Sequence, residues 1–237
     1  MTSTITPHDF QADIDAIGAI PSVATLLEVV CRTTGMRFAA VARVTQDRWV
    51  CCASHDDLNF GLKPGGELWA ETTICEEIRK SGDAVVIDEV AKDTVFCGHP
   101  TPALYGFQSY ISVPILLADG SFFGTLCAID PAPNQLNNIK VRGMFALFAR
   151  LIAHELDTQT QLAAMARENE ALNHRFRGGL GHDMKNTLAA MEAGARLLAK
   201  TPLNERGQLI VREMEASAKT LSLQISDAMA ASRAIDS

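Results

Sequence analysis

Tyr110-Ile-Ser-Val-Pro-Ile-Leu-Leu117 and Phe122-Phe-Gly-Thr-Leu-Cys-Ala-Ile129 are joined by Ala118-Asp119-Gly120-Ser121. Both runs are rich in β-branched and aromatic residues. The Asp-Gly step between them is a strong hairpin signal, because such a turn needs the positive φ that glycine adopts freely. Two long antiparallel strands are therefore predicted. Working outward, Ala84-Val-Val-Ile-Asp88 reads as a short apolar strand, and Gly66 to Lys80 is expected to be a helix ending at Ser81-Gly82. Phe38 to Thr45 alternates as a strand, turns at Gln46-Asp47 and returns through Arg48-Trp-Val-Cys-Cys-Ala-Ser54. Ser22 to Thr33 has helical apolar spacing, with Ser22 as the expected N-cap after Pro21. The sum is an α+β fold around a central antiparallel sheet.

After Asn134 proline occurs only at Pro202, and aromatic residues stop at Phe176. The pattern is helical from about Asn137 to Lys200, weakened at Gly178-Gly179-Leu180-Gly181; after a loop at Lys200-Thr-Pro-Leu-Asn204 a last helix is expected from about Glu205 to Ala234. Two long helices joined by a short loop are antiparallel neighbours. Upstream of the glycines a heptad seam runs through Phe148, Leu162, Phe176, Leu151, Met165 and Leu172, interrupted by Asn169; below them the seam is Met184, Leu188, Met191, Ala195 and Leu198, matched by Val211, Met214, Ala218, Leu221, Ile225 and Ala228. Stripes this narrow bury little in one hairpin, so two hairpins are expected to form a four-helix bundle in a parallel homodimer. The upper and lower seams are out of phase, as at a stutter, which marks Gly178, Gly179 and Gly181 as a candidate hinge.

The net charge of −7 leaves no basic footprint for nucleic acid. No apolar run reaches the roughly 20 residues that cross a bilayer, and the N-terminus lacks a signal-peptide pattern, so membrane insertion is not expected and the chain reads as cytoplasmic. Cys31, Cys51, Cys52, Cys75, Cys97 and Cys127 show neither zinc spacing nor the density of a disulfide framework, and are read as reduced core thiols. Cys51 and Cys52 near His55 could suggest a redox or metal site, but adjacent residues of a strand face opposite ways. No metal site is expected.

His182 lies two residues before Met184 on the seam, about 200° around the helix, which turns its imidazole outward. Asp183 is adjacent and Asn186 one turn on. A carboxylate can hold one ring nitrogen protonated and leave the other as a nucleophile. The run Gly181-His-Asp-Met-Lys-Asn-Thr-Leu-Ala-Ala190 resembles the H-box of the HisKA-type dimerisation and histidine-phosphotransfer (DHp) domain of bacterial sensor histidine kinases, H-[ED]-[LM]-[RK]-[NT]-P-L, in six of seven positions. The resemblance covers roughly residues 170 to 235. It implies that His182 is the phosphoacceptor, that Asp183 is its base or orienting acid, and that Asn186 positions water for dephosphorylation. Thr187 replaces the family's proline, which removes the obligatory kink. No glycine-rich phosphate cradle is present, so the ATP-binding domain, with its ATP and Mg, is expected on a partner or further along a longer chain. The other implied partner is a response regulator, which would receive phosphate on an aspartate.

Residues from about 20 to 155 resemble a GAF domain through His99-Pro-Thr-Pro-Ala-Leu-Tyr-Gly-Phe-Gln-Ser-Tyr-Ile-Ser-Val-Pro-Ile115, the Asp119-Gly120 hairpin and Gly124-Thr-Leu-Cys-Ala-Ile-Asp130. The resemblance implies a sensor with a ligand pocket beside the segment holding Asp93, Phe96, Cys97, His99 and Tyr105; the ligand is unknown, and fold does not supply it. Photoreceptor GAF domains attach a bilin through a cysteine usually followed directly by histidine, whereas here Gly98 separates Cys97 from His99. A GAF-type methionine sulfoxide reductase would need paired, exposed cysteines. The expected organisation is an N-terminal segment 1–20, a GAF sensor 21–140, a coiled-coil signalling helix 141–177 and a DHp hairpin 178–237. The expected function is the sensing and phosphoacceptor portion of a two-component histidine kinase. The alternatives are a GAF ligand-binding or photosensory dimer module with an inert hairpin, and a stand-alone histidine phosphotransfer adaptor.

Overall fold

The computed structural model describes residues 9–175 and 181–234, with side chains described for 9–173 and 184–227. The chain divides into two compact units, residues 1–161 and 162–237.

In the first unit a six-stranded antiparallel sheet has the order β3-β2-β1-β6-β5-β4, with β1 at Phe38–Val44, β2 at Arg48–Asp56, β3 at Glu67–Trp69, β4 at Val85–Ile87, β5 at Ser109–Leu116 and β6 at Phe122–Asp130. The hairpin expected from Asp119-Gly120 forms, with Gly120 at φ 82° and β5 registered on β6 from Ser109↔Asp130 to Leu116↔Phe122. Strand alternation sorts the apolar side chains onto two faces. Ala39, Val41, Val50, Cys52, Ile111, Val113, Ile115, Leu126 and Ala128 pack in one core cluster with α1 (Gln11–Gly18), α2 (Ser22–Thr34) and the first turns of α5 (Ile139–Arg175). From α5 that cluster takes Val141, Phe145, Ala149, Ile152, Ala153 and Leu156, the three-and-four spacing of one helical stripe. Phe38, Ala40, Ala42, Val44, Trp49, Cys51, Tyr110, Cys127 and Ile129 face the other way, towards α3 (Cys75–Ser81) and residues up to Phe107 that follow α4 (Pro100–Tyr105). Cys51 and Cys52 thus lie in different clusters.

Two local expectations are corrected. Residues 66–80 are not one helix: Glu67–Trp69 pair with Val50–Arg48 of β2, and the helix begins only at Cys75. The open edge of β2 and the Arg48 guanidinium, which donates from Nε to Glu67 Oε2 at 2.7 Å, draw this segment into the sheet against its local helical spacing. Ser22 is not an N-cap either; it is the first helical residue, Pro21 already has αR geometry, and no side chain caps the end. An element not expected from the sequence, α1, is tied to the sheet by Arg43, whose Nε donates to Asp13 Oδ2 at 3.2 Å and whose Nη1 reaches the Phe123 carbonyl.

The second unit holds an antiparallel pair of helices, α6 (Gly181–Ala199) and α7 (Glu205–Ala234), the latter with the bounds read from the sequence. Among the described residues no single helix is long and apolar enough to cross a membrane.

Gly124 of β6 lies opposite Arg43 of β1, and a Cβ there would sit 1.9 Å from the Ala42 carbonyl oxygen. Gly124→Ala is expected to force β1 and β6 apart and to destabilise the domain by about 3 kcal/mol or more, beyond the usual cost of overpacking. Gly143→Ala, on exposed α5 with nothing within 4 Å, should instead stabilise by about 0.5–1 kcal/mol. Thermal melts of the two variants check this; equal effects would remove the close-approach argument.

Candidate functional site

On the second face of the sheet a small cavity of about 40 Å³ is enclosed by Phe38, Trp49, Tyr110, Cys127 and Ile129 from the strands, Thr73 to Cys75 from the approach to α3, Thr101, Tyr105 and Phe107 around α4, and Phe60, Leu62 and Leu68 above. That space admits molecules of water size, whereas drug-sized ligands need about 300–1,000 Å³.

The cover of the cavity is held by one carboxylate. Asp56, at the end of β2, accepts from Leu58 N at 3.1 Å and Phe60 N at 3.0 Å on Oδ1, and from Gly61 N at 2.9 Å on Oδ2. Asn59 takes φ 57° to close this turn. The turn sets Phe60 between Phe38, at a ring separation of 5.1 Å, and Tyr105, at 6.2 Å. Tyr105 is fastened by its hydroxyl 2.6 Å from Thr72 Oγ1, and Thr101 Oγ1 donates to the Thr72 carbonyl at 2.8 Å. Burial pushes the Asp56 carboxyl up, but the amides of Gly61, Phe60, Leu58 and Asn59 outweigh it and hold the group below the usual carboxylate range.

The floor is polar at one point. Cys75 Sγ lies 3.3 Å from Tyr110 Oη, 3.3 Å from Thr125 Oγ1 and 3.9 Å from Ser112 Oγ. The neighbouring Cys127, with Thr125, Tyr110 and Trp49, outweighs burial and pulls Cys75 down to about 6. Cys127 itself is pushed well above its ordinary value by Cys75 and by burial. Burial, helped by the Asp57 and Asp130 carboxylates, takes Cys31 up to about 12, and burial governs the rise of Cys51 to about 11 and of Cys52 to about 12.

Of the five residues expected around the pocket, Tyr105 lines it and Phe96 packs against the same cluster. Asp93 instead closes its own turn, accepting from Val95 N and Phe96 N, and His99 caps α4 by accepting from Thr101 N on Nδ1 at 3.3 Å. Cys97 is exposed and does not line the cavity, and the other five cysteines are buried. Sequence reasoning did not find Cys75, Tyr110, Thr125 or Cys127, which three separate segments bring together; the period of two along β5 and β6 placed Tyr110, Thr125 and Cys127 on one face but could not say what faces them. Among the described residues no group of three or more His, Cys, Asp and Glu side chains is arranged to hold a metal ion.

In the hairpin unit, Gly181 is the first residue of α6. Gly178 and Gly179, and the side chains of His182 and Asp183, lie outside what is described; Asn186 is exposed on α6. Leu188, Ala195, Val211 and Ala218 are buried between α6 and α7, at 1–7% exposure, whereas Met184, Met191, Leu198, Met214 and Leu221 keep 39–48%. An apolar groove lined by Met184, Thr187, Leu188, Leu221 and Ile225 is left open along the pair.

The six-stranded sheet, with helices on one face and a small covered cavity on the other, defines the class of α+β domain to which the chain belongs. The sequence matches the GAF domain family over residues 21–156, and the chain belongs to that family. Diguanylate cyclase DgcP of Escherichia coli (strain K12) is 36% identical over 67 residues, a match spanning 28% of this chain and 19% of that protein. The blue-light absorbing form of the Thermosynechococcus elongatus PixJ GAF-domain superposes with a TM-score of 0.51 at 15% identity, covering 66% of this chain and 92% of that one. The GAF domain from Acinetobacter phosphoenolpyruvate-protein phosphotransferase gives 0.49 at 11% identity, covering 65% and 94%. At 15% identity the likeness to the PixJ domain speaks for the fold alone.

Because its native carboxyl is held below the ordinary value, Asp56 stabilises the cover fully above about pH 4 and loses that contribution as the pH falls through the lower, native value. Amide exchange of residues 58–61 should therefore speed up under acid before the central strands open. Asp56→Ala should show the faster exchange already at neutral pH; unchanged protection there would mean that the ring contacts of Phe60, not the carboxylate, hold the cover.

Proposed function

We propose that this chain is a GAF sensory module that registers a small molecule in its pocket and delivers the result through a helical hairpin working as one half of a homodimer. The covered pocket carries this reading. A small cavity of about 40 Å³ lies in the packed layer on one sheet face under a cover that hangs on one carboxylate turn, an arrangement suited to a cover that opens to admit a ligand.

The dimer is supported by the division of the heptad seam. One series, Leu188 and Ala195 with Val211 and Ala218, is used inside the hairpin. The other, Met184, Met191 and Leu198 with Met214 and Leu221, keeps much of its apolar surface. A second hairpin covers it and completes a four-helix bundle.

The H-box sequence at Gly181 to Ala190 favours a finer reading, in which the hairpin is the phosphoacceptor part of a two-component sensor histidine kinase. His182 would take a phosphoryl group from a kinase ATP-binding domain and pass it to a response-regulator aspartate. Asp183 would orient the ring for the first step, and Asn186 would position water for hydrolysis.

Sedimentation of the chain at micromolar concentration is expected to give a dimer, and Met184→Glu with Met191→Glu a monomer whose GAF domain melts as before; a monomeric wild type would sink the bundle. Incubation with a histidine-kinase ATP-binding domain and Mg-ATP is expected to place acid-labile phosphate on the chain. His182→Gln should abolish it without unfolding the hairpin, and Asp183→Asn should slow it by about 10²-fold or more. A dimer that takes no phosphate would leave the sensory module standing and make the hairpin a dimerising arm.

A further inference from the structure

Cys75 opens α3, and Cys127 lies in the middle of β6, 52 residues further along the chain. Both are buried and both line the cavity, and Cys75 Sγ lies against Ser112, the cross-strand partner of Cys127, and against Thr125, two residues before it on the same strand. Around Cys75 Sγ three hydroxyls converge, from Tyr110 and Ser112 on β5 and Thr125 on β6. The remaining lining of this cavity is mostly apolar, from Phe38, Trp49, Phe60, Leu62, Leu68, Ile74, Phe107 and Ile129. A neutral thiol is a weak acceptor, and donors gathered on it in a dry pocket gain little; on a thiolate they form charge-assisted bonds of roughly twice the strength. The arrangement is therefore one that favours charge on Cys75 and a proton on Cys127. The cavity beside the two sulfurs, about 40 Å³, holds a molecule no larger than two or three waters.

We propose that Cys75 and Cys127 are a peroxide-reactive thiol pair: Cys75 is oxidised by hydrogen peroxide admitted to the cavity, and Cys127 resolves the product to an intramolecular disulfide. In the first step the Cys75 thiolate attacks one oxygen of the peroxide, an S–O bond forms, the O–O bond breaks, and hydroxide leaves and is protonated to water. Cys75 is then a sulfenic acid. In the second, the Cys127 sulfur attacks Cys75 Sγ, the S–O bond breaks, and hydroxide leaves with the Cys127 proton as water. Two thiols and one peroxide give one disulfide and two waters. The bond ties the start of α3 to a central strand beneath the pocket. Nothing in this chemistry depends on what α6 and α7 do.

The test uses the full chain carrying Cys97→Ser, which removes the exposed thiol, treated with equimolar hydrogen peroxide and then alkylated after denaturation. The expected result is the loss of two free thiols per chain, one tryptic species joining the Cys75 and Cys127 peptides, and full alkylation of Cys31, Cys51 and Cys52. With Cys127→Ser the reaction should stop at a dimedone-reactive sulfenic acid on Cys75, and with Cys75→Ser no thiol in the pocket should be consumed. The initial rate should rise to a plateau near pH 7, rather than climb through pH 8–9 as an ordinary thiol does. Thermal melts show whether each serine variant is folded. Should either fail to fold, the peptide map and pH profile of the parent decide alone. Intact Cys75 and Cys127 after peroxide treatment, or a disulfide through Cys51, would overturn the proposal.

Discussion

The central pair of strands can approach only because Gly124 has no side chain. β1 and β6 form the middle of the sheet, and between them the Ala42 carbonyl occupies the space of a Cβ on residue 124. The register also shifts in the β1–β2 pairing between Val41 and Ala42, beside this contact. Both clusters of buried residues draw on these two strands. One contact thus holds together the helical face and the pocket face.

Most of the sheet was legible because five of its six strands carried local signals. Alternation along Phe38 to Thr45, and the β-rich runs Tyr110 to Leu117 and Phe122 to Ile129 with Asp119-Gly120 between them, are local information, and the structure returns these strands nearly residue for residue. What failed was also local, at residues 66–80. There the spacing of Leu68, Trp69, Ile74 and Ile78 suits a helix, but the unpaired edge of β2 offers three residues of ladder that no helix could use. Long-range pairing outweighed propensity, and a sequence read alone contains no record of where an edge will be free. The pocket was legible only as a region. Its lining comes from both sides of the chain's midpoint, and residues singled out for their chemistry, Asp93 and His99, serve as a turn closure and a helix cap.

The hairpin illustrates a different limit. Its two heptad series were visible in the sequence as a single seam, since both are apolar and both lie on one side of each helix. Packing separates them: the smaller and β-branched residues Ala195, Val211 and Ala218, together with Leu188, close the hairpin, while the long, unbranched methionines and the leucines remain outside it. Small residues let two helices approach closely, and flexible thioethers adapt to a second surface. The apolar area left over is a property of the isolated hairpin, and it sets a cost that only association, or another cover of the same shape, can offset.

Counting cysteines along a chain detects frameworks whose spacing is regular, as in zinc sites or small disulfide scaffolds. It does not detect a pair made by a fold. Cys51 and Cys52 attracted notice as neighbours in sequence, yet a strand must send them to opposite faces, and burial pushes both upward out of the reactive range. Cys75 and Cys127 had nothing in sequence to link them and meet only because α3 lies across β5 and β6. The distinction between an inert core thiol and one with a favoured thiolate lies in the donors around the sulfur, not in burial, which the two kinds share. Tyr110, Ser112 and Thr125 supply those donors from consecutive positions on adjoining strands, so the same alternation that builds the core also concentrates its polarity on one atom.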